Sequence, residues 1–162
     1  LQADEIAILD LASSELEFFR SLKKLVQRSA ELIKSENMEE LMFVLEEKQT
    51  VISRYEVILE EWNNIGSSLG IKDGRDNPDF WQLLFKALSD GSPGKSDFSE
   101  KLDPLLGEIK ALADELVKME DESQEVLNEY VKRLRDRISQ VSKGRDACKG
   151  YASAGGASLS NL

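Results

Sequence analysis

The sequence predicts an all-α protein, an elongated antiparallel bundle of three long helices plus one short helix. Three observations predict it. All three prolines, Pro78, Pro93 and Pro104, fall in one middle zone, so the chain on either side runs without a helix breaker. Apolar residues on both sides recur at steps of three, four and seven. Few stretches alternate with period two between turn residues, so no strand is expected.

The first helix is expected from about Ala3 to Lys34. Leu9, Ala12, Leu16, Phe19, Val26, Ala30 and Ile33 make one apolar row, and Leu11, Phe18, Leu22, Leu25 and Leu32 make a second beside it. A stripe this broad serves a helix that touches more than one neighbour. At 1.5 Å per residue, such a helix measures on the order of 48 Å, which makes the molecule elongated.

The second helix has the clearest signal. Asn37 is placed to accept from first-turn amides, with Glu40 three residues on, a variant of the capping box. Leu41, Leu45, Lys48, Ile52, Tyr55, Leu59, Trp62, Gly66 and Leu69 then alternate steps of four and three. Val44, Val51, Ile58 and Ile65 add a row at steps of seven, a pattern that favours knobs-into-holes contact with another long helix. Lys48 sits on that seam, its stem suited to packing and its ammonium group to solvent or an acidic neighbour. The helix is expected to stop near Leu69, where Gly66 and Gly70 weaken it.

A loop follows. Asn77 then caps a short aromatic helix with Pro78 at its first position, and Gly91 ends it. After a second loop around Pro93, Asp103 with Pro104 opens the last long helix, expected to run to about Lys143. From Gly144 the composition shifts to Gly, Ala and Ser. The expected division is therefore a bundle over residues 1–143 and a flexible C-terminal tail over 144–162.

Composition excludes several functions. The 162 residues carry 21 Lys and Arg against 31 Asp and Glu, a net charge of −10, which argues against nucleic acid as a partner. There is no histidine, and one cysteine, Cys148. Nucleophile–histidine pairs are ruled out, an internal disulfide is impossible, and zinc and haem lose their commonest ligand. Phosphate-binding glycine motifs are missing as well. Acidic pairs such as Glu39 with Glu40 and Asp121 with Glu122 read as solvated helix faces. No catalytic residue, cofactor or metal is expected. The lack of a bilayer-length apolar run and of a basic leader points to a soluble, cytoplasmic protein without membrane insertion.

Charge is unevenly spread. Residues 1–61 hold 14 acids and 7 bases and residues 62–131 hold 15 and 7, whereas residues 132–162 hold 2 acids and 7 bases. Bases near a helix C-terminus complement its dipole, and seven of them also suit an acidic protein surface. Tyr151 is a lone aromatic in the tail. It reads either as a docking anchor or as a ring that folds back on the bundle.

The segment ENMEELMFVLEEKQTVISRYEVILEEW resembles the FlgN family of flagellar export chaperones, with Leu41, Leu45, Glu47, Lys48, Val51, Ile52 and Leu59 as the matching residues. LVKMEDESQEVLNEYVKRLRDRI is similar to that family's C-terminal amphipathic helix, and KGYASAGG to its tyrosine followed by small residues. The resemblance implies a non-catalytic type III export chaperone. It would bind the amphipathic terminal helix of hook-filament junction (hook-associated) proteins and deliver them to the flagellar export apparatus. Val131, Leu134, Ile138 and Val141 are the expected cargo surface, because the last helix outruns its neighbours. By the same resemblance Tyr151 docks on the export gate. A homodimer is left open. The alternative is a non-catalytic coiled-coil adaptor or self-associating helical scaffold, with a granule-coating protein as a third reading.

Overall fold

The computed structural model describes residues 3–89 and 97–160. Helix α1 covers Ala3–Lys34, α2 Met38–Ser68, α3 Phe80–Ser89 and α4 Asp97–Ser160, with a 3-10 turn at Gly74–Asp76. Among the described residues there is no strand, so the chain is all-α.

The turns at both ends of α2 show how local chemistry stops a helix. After α1, the Asn37 amide donates to the Leu32 carbonyl and the Glu36 amide to the Ile33 carbonyl, the double closure of a Schellman motif. Glu36 holds the left-handed position at φ 57°, where glycine is usual. Asn37 then caps α2: its side chain accepts from the Glu40 amide at 3.3 Å and donates back to the Glu40 carboxylate at 3.1 Å. The far end of α2 closes in the same way, with Gly70 at φ 77° and the Ile71 amide on the Gly66 carbonyl at 2.8 Å. Ile71 enters the core directly after this turn.

Contacts between side chains set the helix directions. Glu15 meets Tyr55 and Trp62, while Leu32 and Ile33 meet Leu41 and Val44, so α1 and α2 run antiparallel. Arg20 pairs with Glu108 and Lys23 with Glu115, so α4 runs in the direction of α1. Helix α1 packs closely on both neighbours, while the α2 and α4 backbones scarcely approach each other. Lys48, on the α2 seam, crosses to Glu120 of α4.

The main core lies where α2 ends and α4 begins. Ile8, Leu11 and Ala12 meet Trp62, Ile71, Phe80, Leu84, Phe98 and Leu102 there, with α3 covering that end. A smaller cluster of Leu32, Ile33, Leu41 and Val44 seals the α1–α2 turn against Val126 and Leu127.

Three expectations are corrected. Helix α4 starts at Asp97 and not at Asp103, which leaves Pro104 inside it. Phe98 and Leu102 explain the earlier start, since both are fully buried, and that burial outweighs the one hydrogen bond a proline removes. The helix also runs on to Ser160 and does not end near Lys143. Extending an existing helix adds a hydrogen bond per residue with no new nucleus to form, and no proline interrupts residues 144–160. Helix α3 takes regular form at Phe80, two residues after Pro78, while Asn77 accepts from the Asp79 amide at 2.9 Å. The stop at Gly91 and the loop around Pro93 lie outside the described residues.

Candidate functional site

Up to Val126 and Leu127, α4 is a bundle helix with an inward face. Its last ion pair to another helix element among the described residues joins Arg133 to Glu36 in the α1–α2 turn, at 3.8 Å. From there the helix continues for 27 residues past the end of its neighbours, roughly 40 Å at 1.5 Å per residue.

The residues singled out in the sequence lie on this projection. Val131 is 37% exposed, Leu134 is half-buried, and Ile138 and Val141 are 65% and 64% exposed. Their spacing of three, four and three places them on one face of α4. Tyr151 stands farther out at 86% exposure, and its ring does not fold back on the bundle. The structure thus brings the four apolar side chains into one stripe and sets Tyr151 about two turns or more beyond it. Arg133 lies 6.0 Å over the Tyr130 ring, and the six further bases of the sequence after residue 131 are spread along the same rod. An uncovered apolar stripe flanked by bases can hold an amphipathic helix, as in helix-in-groove recognition.

A second feature adjoins it. Phe19 and Leu22 of α1 floor a groove whose α4 wall is Ala113, Leu116 and Val117, with Glu120 and Asp121 at its rim. Leu45 and Ile52, on the α2 seam, remain partly exposed. The groove is lined by α1 and α4 alone.

Sequence reasoning missed the polar centre of the bundle. Glu15 has no solvent exposure, yet every lone pair it offers is in use. The Trp62 indole donates to it at 2.8 Å, the Tyr55 hydroxyl at 3.1 Å, and Arg75 Nη1 reaches both of its oxygens at 2.9 and 3.2 Å. The Arg75 guanidinium also lies over the rings of Trp81 at 4.7 Å and Trp62 at 5.5 Å. Burial, then the negative charge of Glu15, pushes the Tyr55 hydroxyl up to about 12. This cluster clamps the 3-10 turn to the bundle and so holds α3 over its end. The available signal was a glutamate at an apolar position of the first helix, between Leu11 and Leu22.

Among the described residues, no three His, Cys, Asp or Glu side chains gather as a metal would require, and no helix is long and apolar enough to cross a membrane. Cys148 is exposed on the projecting rod.

Residues 5–158, nearly the whole chain, match the family described as FlgN protein. No curated protein and no solved structure matches the chain.

Proposed function

This chain belongs to the FlgN family of flagellar export chaperones, and we propose that its projecting α4 end holds the amphipathic terminal helix of hook-filament junction proteins until export. Val131, Leu134, Ile138 and Val141 form the seat. The single observation that supports this most is that the stripe runs out past every other helix, where Ile138 and Val141 are largely in water. Burying an exposed Ile or Val against a cargo helix contributes about 1.5–3 kcal/mol per side chain, which the losses of association offset in part. Tyr151, set apart from the stripe, docks on the export gate, and the work takes place in the cytoplasm.

The test is a pair of variants assayed against the terminal helices of hook-associated proteins and against the export gate. Ile138→Asp with Val141→Asp abolishes cargo binding and leaves the fold intact, because both side chains are in water. Tyr151→Ala leaves cargo binding unchanged and weakens gate binding and secretion. Unchanged cargo affinity in the double variant, or equal loss of both activities in Tyr151→Ala, refutes the assignment.

A further inference from the structure

The bases of the projecting rod are placed with respect to its apolar stripe. At about 100° per residue, Arg135 lies about 80° to one side of the line through Val131, Leu134, Ile138 and Val141, and Arg137 about 80° to the other. Arg145 follows Val131 and Ile138 at a further step of seven, with Lys149 one turn beyond it, so both lie in line with the outer end of the stripe. Asp136 falls on the opposite face, about 180° away, and Lys132 and Lys143 lie on that back face as well. All of these charged residues are exposed. On the bundle, by contrast, Arg20, Lys23 and Lys48 each meet an acid of another helix, and Arg133 at the foot of the rod meets Glu36. Arg135, Arg137, Arg145 and Lys149 meet no acid among the described residues.

We infer that the helix held on this stripe is acidic at its flanks: an amphipathic helix with a narrow apolar edge, bordered on both sides by Asp or Glu. The inference rests on the cargo reading of the stripe given above and adds the chemical class of helix that the seat selects. Arg135 and Arg137 are left to meet carboxylates of the incoming helix, as the charged positions beside a coiled-coil seam choose their partners. A guanidinium also offers a planar fork that a carboxylate can meet with two bonds. A helix bordered by Lys or Arg would bring like charges together along the seat, which selects against it. The apolar edge need be only about three turns long, since Val131 and Val141 are about 15 Å apart along the rod. Past that point Arg145 and Lys149 take over the row and call for acids at that end of the partner. An anionic bilayer is a poorer match. Lys132 and Lys143 face away from the stripe, and residues 1–131, with 29 acids against 14 bases, are repelled by such a surface.

The test uses the full chain and two synthetic helices of about 18 residues (~27 Å) with the same leucine row, one flanked by Glu and one by Lys. Binding at the rod is read as slowed amide exchange across residues 131–149. At low ionic strength the Glu-flanked helix protects them with an affinity about tenfold or more above the Lys-flanked one, and the gap narrows towards 1 M salt, where screening shortens to ~3 Å. Arg135→Glu with Arg137→Glu reverses that order. Lys132→Glu with Lys143→Glu, the same change of net charge on the back of the rod, keeps it. Equal affinities of the two helices for the unsubstituted chain overturn the inference and leave the cargo reading standing. So does an equal effect of the front and back pairs, which makes the preference a property of net charge alone. Protection by neither helix overturns both readings. Phosphatidylglycerol vesicles that protect residues 131–149 more strongly than the Glu-flanked helix overturn the inference in favour of a lipid surface.

Discussion

The Trp62 indole donates to the Glu15 carboxylate at 2.8 Å, in the middle of a bundle otherwise closed by apolar side chains. Glu15 comes from the fourth turn of α1 and Trp62 from near the end of α2, so this bond ties together elements 47 residues apart. Arg75 completes it from the turn beyond α2, with its guanidinium over both indoles. That buried acid ties the turn before α3 to the bundle, while Phe80 and Leu84 of α3 pack into the core beside it.

Removing the acid should be severe. Glu15→Ala strands the Arg75 charge and the Trp62 donor in the core, and breaking a buried pair in this way costs about 3–5 kcal/mol. Urea unfolding followed by tryptophan fluorescence reads it directly. A loss under 1 kcal/mol would mean that the cluster is not what holds the turn in place.

The same acid sets a pH dependence. The Tyr55 hydroxyl is raised from 10.0 to about 12 in the folded protein, by burial first and then by the charge of Glu15. The folded state therefore keeps its proton where the unfolded state loses it. Stability from this group is fully present below pH 10 and is lost as the pH rises from about 10 towards 12. Absorbance titration at the phenolate band should show a late step near pH 12, and Tyr55→Phe should remove it.

Glu36 offers a gain. It occupies the left-handed C-terminal position of α1 at φ 57°, where an L side chain is disfavoured by roughly 1–2 kcal/mol. Its pairing with Arg133 is long and exposed, so little opposes a change. Glu36→Gly should raise stability by about 0.5–1 kcal/mol after the added entropy of the unfolded chain. Thermal melts would register it as a higher midpoint; an unchanged or lower one would contradict the strain argument.

Gly74 is the reverse case. A Cβ there would sit 1.9 Å from Asn63 Oδ1, which accepts from the Arg75 amide at 3.0 Å, and the backbone is at φ 50°. Gly74→Ala should destabilise by about 1–3 kcal/mol and loosen Arg75 from Glu15. Amide hydrogen exchange should speed up first in residues 70–89, ahead of α1.

Much of the fold was legible because it depends on local rules. Proline-free heptads predicted α1 with the bounds it has, Ala3–Lys34, and Asn37 with Glu40 marked the start of α2 within one residue. The projecting stripe was legible for the same reason, since spacing puts Val131, Leu134, Ile138 and Val141 on one face. Pro104 and the glycines after Lys143 misplaced both ends of α4, because propensity was weighed without the burial of Phe98 and Leu102 or the continuity of a helix already formed.

The sequence by itself determined an all-α chain, the bounds of its first helix, the reversal of charge along its last one, and its family. Only the tertiary structure decided what becomes of Glu15, which side of α4 stays uncovered, and where the bundle stops and the rod goes on alone. The physical reason is range. Periodicity, caps and charge act over a few residues and can be read in order along the chain. Burial and pairing join residues such as Glu15 and Arg75, 60 positions apart, and exist only once the helices have met.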